Sequence, residues 1–121
     1  MVKLLLLLNL AHWAADYTQL STSWMLNAKR FGKPLFPILI HASIHSLLVF
    51  LIIIVFRDAL LAMYLSALQL LTHFIIDTMK GRLNVWFKQL QSPSNRFHWW
   101  VFGVDQYLHQ VVIILTAYVA T

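Results

Sequence analysis

Histidines and aspartates recur four residues apart in every long apolar stretch of this sequence. The pairs are His12/Asp16, His41/His45, His73/Asp77 and Asp105/His109. Residues four apart lie on one face of a helix, stacked one above the other. Ionisable side chains in membrane-grade helices are costly, and they usually mark a functional site or a buried pair. The spacing therefore predicts either four separate polar pairs or one shared site.

Imidazole and carboxylate groups that converge on the axis of a helical bundle are typical of metal sites. Nitrogen and oxygen donors without thiolate suit zinc best, with manganese or iron as alternatives. Eight such groups exceed what one tetrahedral ion needs, so we expect two ions, or one ion with some groups orienting its ligands. The predicted metal ligands are His12, Asp16, His41, His45, His73, Asp77, Asp105 and His109. The alternative is that the pairs are structural hydrogen bonds or a proton relay.

The candidate catalytic residues are three of these carboxylates and a neighbouring lysine: Asp16, Asp77, Asp105 and Lys80. Lys80 could neutralise Asp77, bind an anionic substrate, or extend to the membrane surface. The sequence contains no glutamate, so an aspartate, a histidine or a metal-activated water must act as general base. The His-Glu-x-x-His motif of many zinc proteases is therefore excluded.

Composition indicates the setting of this site. The chain has 121 residues, of which 60% are hydrophobic and 11% charged, and its mean hydropathy is +0.72. Soluble proteins carry about a quarter charged residues, so we expect an integral membrane protein with one domain, residues 1–121. There is no cysteine, which excludes disulfides and thiolate ligands. The net charge of +5 lies at the ends of apolar runs, so we expect no nucleic-acid partner.

Four apolar runs predict an all-α, integral membrane four-helix bundle. The predicted spans are about 4–22, 35–56, 59–80 and 98–119, and about 20 residues cross the hydrocarbon core. Gly32 and Pro34 predict a connector over residues 27–34. The pattern of Leu83, Trp86, Phe87 and Leu90 predicts a short amphipathic interfacial helix between the third and fourth spans.

Basic residues predict the orientation of the bundle. They are concentrated in the first and third connectors, at Lys29, Arg30, Lys33, Lys80, Arg82, Lys88 and Arg96. Positive charge favours the cytoplasmic side of a membrane, so these two connectors are expected in the cytoplasm. We therefore expect a protein of the bacterial inner membrane with both termini outside the cytoplasm. This topology places Asp16, His41, Asp77 and Asp105 in a layer nearer the cytoplasm than His12, His45, His73 and His109. A single site in the cytoplasmic half of the bundle follows.

Five motifs resemble a domain-of-unknown-function family of small membrane proteins from bacteria and phages. They are Ala11-His12-x-x-Ala15-Asp16-Tyr17, Trp24-Met25 with Lys29, His41-x-x-Ile44-His45, His73-x-x-Ile76-Asp77-x-x-Lys80, and Asp105-Gln106-x-x-His109. The resemblance covers essentially the whole chain and implies no activity. A shorter element, Ile44-His45-Ser46-Leu47, is similar to the Thr-His-Ser-Leu element of membrane-bound metal-dependent hydrolases, with Ile44 in place of threonine.

The predicted function is a metal-dependent hydrolase that acts on a lipid or a lipid-linked phosphate or ester. Layers of aspartate and histidine could instead serve a divalent-cation or proton transporter or channel. Facing histidines could also ligate haem axially. A fourth hypothesis is a non-catalytic phage membrane factor. The expected partners are the lipid bilayer, and a second copy of the chain or another membrane protein.

Overall fold

The computed structural model describes the whole chain, residues 1–121, as five α-helices with no strand. The helices are α1 (Val2–Tyr17), α2 (Ser23–Phe31), α3 (Leu35–Phe56), α4 (Ala59–Trp86) and α5 (Arg96–Ala120), with a 3₁₀ turn at Lys88–Gln91 before α5. The predicted all-α class is confirmed.

Local side-chain chemistry sets several helix ends. The Asp58 carboxylate accepts a hydrogen bond from the Leu61 N–H at 3.0 Å, and Asn95 caps α5 in the same way. Both satisfy backbone donors that have no partner within the helix. Gly32 ends α2 with a φ of +69°, a left-handed conformation that glycine adopts without steric cost.

Four helices surround the bundle axis in the order α1, α3, α4 and α5, and α1 closes the ring against α5. The shorter α2 packs across α3 and α4. The tight turn at Arg57 and Asp58 joins α3 to α4. This ring directs one face of each long helix at a common axis.

The bundle is divided along its length into an apolar half and a polar half. The apolar core consists of Leu4, Leu8, Val49, Ile53, Ala62, Leu65, Ile113, Ala117 and Ala120. These residues come from the start of α1 and α4 and from the end of α3 and α5, so this half lies beside both termini. Arg57 donates a hydrogen bond to the Thr121 carbonyl there, at 3.5 Å. The histidines and aspartates occupy the other half.

The separate interfacial helix predicted between the third and fourth spans is wrong. Leu83 and Trp86 belong to α4, which continues without a break to Trp86, and Leu90 is buried in the 3₁₀ turn. Gly81 does not interrupt α4. The close approach of α2 leaves no room for a side chain at this position. A Cβ atom at Gly81 would overlap the Gly32 backbone and the Lys29 carbonyl. The glycine thus lets α2 cross α4 at close range.

The predicted connector at residues 27–34 also differs from the structure. Ser23–Phe31 forms α2, and α1 ends at Tyr17. The Thr22 hydroxyl accepts from the Met25 N–H at 3.3 Å, and Met25 and Ala28 are buried. A helix forms because one of its faces is covered by α3 and α4, a contact that local sequence does not reveal.

Two helices, α3 and α4, are long and apolar enough to cross a membrane by length and composition. The start of α3 at Leu35 and its end at Phe56 match the predicted span. These two helices give weak support for membrane association. The sequence predicts four spans, and the other two helices do not meet the same criteria of length and composition.

Candidate metal centre

The structure gathers all eight predicted ligands in the polar half of the bundle. His45 and His73 stack with their ring centroids 3.7 Å apart, and His73 lies 4.2 Å from His109. His12 completes the group, 5.0 Å from His45 and 5.3 Å from His109. Four helices thus each contribute one ring to a histidine layer.

One donor set joins α1, α3 and α4. It consists of Asp16, His41, His45 and His73, whose donor atoms all lie within 4.8 Å of one another. The Nε2 atoms of His41 and His45 lie 3.0 and 2.9 Å from the same oxygen, Oδ1 of Asp16. One carboxylate oxygen therefore faces two imidazoles from α3.

A second donor set joins α4 and α5 through His73, Asp77 and His109. His73 Nε2 lies 3.0 Å from Asp77 Oδ2, and His109 Nε2 lies 3.2 Å from Asp77 Oδ1. His73 belongs to both sets, so the two sets are overlapping alternatives for one cation at this imidazole.

Several buried atoms of these sets have no hydrogen-bond partner. They include His73 Nε2 and Asp77 Oδ2, which are close to each other but lack hydrogen-bond geometry. Leaving buried polar atoms unpaired costs free energy, and such atoms call for an explanation by a water or an ion. A cation between them would satisfy both.

Gln69 supports the shared histidine from the same face of α4. Its Nε2 lies 3.3 Å from Nδ1 of His73, and its Oε1 is buried without a partner. Exchanging the two amide atoms lets Oε1 accept from the His73 Nδ1–H. That tautomer leaves the Nε2 lone pair of His73 free for a metal.

His12 and Asp105 lie beside the two sets. His12 Nε2 is 3.2 Å from Asp16 Oδ2, and Asp105 Oδ1 is 3.5 Å from His109 Nε2. Asp105 also accepts from Gln106 at 2.9 Å and faces the Lys80 ammonium at 3.8 Å. His12 is therefore placed to orient Asp16, and Asp105 to orient His109. Either could also bind an ion directly.

Lys29 is the member of this cluster that the sequence does not predict, since its charge is explained there by topology alone. Its Nζ lies 3.7 Å from Asp16 Oδ1, 3.6 Å from Asp77 Oδ2 and 3.2 Å from His41 Nε2. Burial alone would lower the pKa of this lysine, but Asp77 and Asp16 raise it above its ordinary value. Lys29 is therefore a fixed cation between the two donor sets.

A polar cavity of about 520 Å³ opens onto these groups. It is lined by all three carboxylates of the cluster, Asp16, Asp77 and Asp105, and by the cations Lys29, Arg30 and Lys80. His98 also lines this cavity, while its Nδ1–H donates to the Leu90 carbonyl at 2.6 Å. A small polar molecule can thus reach the histidine and aspartate cluster from the end of the bundle where α2 packs.

No curated protein and no solved structure matches this chain. One family model matches, described as a protein of unknown function, DUF3307, and the match covers residues 4–121. The description assigns no activity, so the phage association and the hydrolase similarity stay predictions. Because the match extends over nearly the whole chain, this protein belongs to the DUF3307 family.

Proposed function

We propose that this chain is a membrane-embedded, metal-dependent hydrolase whose site opens at the cytoplasmic end of a four-span bundle. The observation that carries the proposal is the pair of donor sets that share His73 and adjoin the polar cavity. A divalent ion held by one of these sets would lower the pKa of a bound water to about 7 and so supply the nucleophile for hydrolysis.

The donor distances fit a small divalent ion. Tetrahedral zinc, with bonds of about 2.0–2.1 Å, places neighbouring ligand atoms roughly 3.3 Å apart. The shortest contacts, of Asp16 with His41 and His45 and of Asp77 with His73 and His109, span 2.9–3.2 Å. All donor atoms of each set lie within 4.8 Å of one another. Zinc is the ion we propose first, with manganese or iron as alternatives.

Surface composition supports the membrane location. The most apolar windows of α3 and α4 are only 33% and 22% buried inside the protein. Large apolar side chains on the other faces are exposed, among them Leu47 at 57% and Leu71 at 59%. Core helices of a soluble protein would bury such residues, whereas lipid accommodates them.

The charges of the cavity favour an anionic substrate. Its three carboxylates are balanced by Lys29, Arg30 and Lys80. A bound divalent cation would leave the cavity positive, which attracts a phosphate or another anion. The ion would supply an activated water as nucleophile. Lys29 and Lys80 would hold the anion, and Asp105 is placed to exchange a proton with His109.

The apolar half of the bundle argues against an open channel. Leu8, Val49, Leu65 and Ile113 belong to the buried core between the polar cluster and the ends of the chain. A channel needs a polar route through both halves. The cavity therefore resembles a site with one entrance.

Element analysis of the purified protein tests the proposal first. We expect bound zinc, manganese or iron, lost in His73→Ala and retained in His98→Ala, a histidine outside both donor sets. Hydrolysis of a phosphatidic acid and of a carboxylic-ester lipid is then measured in vesicles, with and without EDTA. Absence of a stoichiometric metal, or metal without turnover, would overturn the hydrolase. Cation flux without turnover would identify a transporter instead.

A further inference from the structure

A groove between α4 and α5 is lined almost entirely by apolar side chains. Its volume is about 460 Å³, and 9 of its 11 lining residues are hydrophobic. Its walls include Ile76, Met79, Leu83, Trp100, Val104 and Leu108. The volume lies within the range of roughly 300–1,000 Å³ that is typical of small-ligand sites.

The groove joins the polar cavity. Lys80, Val101 and Asp105 line both spaces. The Lys80 ammonium lies 3.8 Å from Asp105 Oδ2 and 4.7 Å above the ring of Phe102. These contacts hold the ammonium at the junction, so an apolar path from the side of the bundle ends at a cation beside the metal centre.

The groove extends along α5 on both sides of Asp105. Its lining on α5 extends from Phe97 to Leu108, which is about 16 Å at the helical rise of 1.5 Å per residue. One wall begins at exposed aromatic residues, Phe97 and Trp100, of the kind that lie at membrane surfaces.

We propose that this groove binds the hydrocarbon chain of one membrane lipid, with its anionic phosphate head group at Lys80. The apolar walls match the chain, and the cations Lys80, Lys29 and Arg30 match the phosphate. This inference names the substrate class of the proposed hydrolase and rests on it for the reaction, but the contacts of the acyl chain with the groove need no metal. Lys80 thereby acts as a specificity-determining residue.

Photolabelling in phosphatidylcholine vesicles tests the proposal. The probes are phosphatidic acid and phosphatidylcholine that carry the same diazirine-labelled acyl chain. We expect phosphatidic acid to label α4 and α5 peptides of the groove roughly fivefold more than phosphatidylcholine, the effect of about 1 kcal/mol per nearby lysine. Val104→Trp fills the groove and abolishes this labelling, whereas Leu47→Trp, equally exposed on α3, leaves it unchanged.

Substitutions of charge separate the head group from the chain. Lys80→Met is expected to retain labelling but to lose the preference for phosphatidic acid, and Lys88→Met, at an exposed position, keeps both. Three results would overturn the proposal. They are equal labelling of α3 and α5, equal labelling by both probes, and a dimer that Val104→Trp disrupts. Labelling is repeated in EDTA. In EDTA, labelling should persist while hydrolysis stops. In the metal-loaded protein, groove labelling without hydrolysis refutes the hydrolase alone, and hydrolysis without groove labelling refutes this inference alone.

Discussion

Lys29 links the two donor sets through contacts with Asp16 and Asp77. Its side chain is 21% exposed, so these ion pairs are largely shielded from water. Removing one partner of a buried pair leaves an uncompensated charge, which costs more than the pair itself contributes. In the metal-free protein, Lys29 is therefore a stabilising residue, while a metal ion would repel its ammonium.

Lys29→Met is expected to lower the metal-free stability and to strengthen metal binding. We expect a loss of roughly 2 kcal/mol, less than the roughly 3–5 kcal/mol of fully buried pairs, because Lys29 reaches water. Zinc should then raise the thermal midpoint more in Lys29→Met than in the wild type. The conservative Lys29→Arg should retain the metal-free stability. Equal midpoints for Met and wild type would contradict this role.

The difference in stability between the wild type and Lys29→Met is expected to depend on pH. The pKa of Lys29 is raised in the folded state. Its stabilisation is therefore fully present below the unfolded pKa of about 10.4 and is lost as the pH rises through the higher folded value. The difference between wild type and Lys29→Met should stay constant near neutral pH and shrink only in strong alkali. A difference that disappears near pH 7 would indicate another group.

Gln69 positions His73 without touching the proposed ion. Gln69→Ala is expected to weaken metal binding about 10–100-fold, the usual effect of losing a group that orients a ligand. Metal titration by calorimetry measures this change. Gln89→Ala, at an exposed position of the 3₁₀ turn, is the matched control. Unchanged affinity in Gln69→Ala would show that other contacts orient His73.

The histidine and aspartate pairs could be predicted because helical geometry turns a spacing of four into one face. Lys29 could not be predicted in the same way. It lies on a short helix, one turn after Met25, and its partners are 13 residues before it and 48 after it in the chain. Only the contact between α2 and α4 brings them together. The occurrence of Lys29 in a motif with Trp24 and Met25 was the available signal.

At the level of elements, the crossing of α2 over α4 depends on Gly81. Gly81→Ala is expected to destabilise the protein by about 1–3 kcal/mol, the usual cost of overpacking, and to displace Lys29. Gly103, on α5, has open space where a Cβ atom would lie. Gly103→Ala should be neutral or stabilising by about 0.5–1 kcal/mol, since alanine favours a helix. Thermal unfolding of both variants makes the comparison, and equal effects would refute the packing role.

The bounds of α3 could be predicted because Pro34 precedes it and the polar Arg57 and Asp58 follow it. The end of α4 could not, because the polar segment that starts at Gly81 predicts the end of the span at Lys80. A glycine usually weakens a helix, but it can be accommodated where another backbone packs closely against it. Here the close backbone of Gly32 makes the missing side chain an advantage.

For the whole molecule, the contact between Arg57 and Thr121 places the turn from α3 to α4 beside the C-terminus. In the proposed topology this end lies outside the cytoplasm. The chain contains no cysteine, so single cysteines can report position without background. Thr121→Cys should react with a membrane-impermeant maleimide added to intact cells, and Lys88→Cys only after the membrane is opened. The reverse labelling pattern would show that the topology is opposite to the proposed one.

The position of Lys29 also bears on the order in which the protein is assembled. A site whose carboxylates faced one another alone would repel itself until a metal arrived, as in proteins that fold only on metal binding. Here the chain carries its own cation between Asp16 and Asp77. The bundle can therefore close before any ion is supplied, and binding of the proposed metal would be a later step that displaces the Lys29 ammonium.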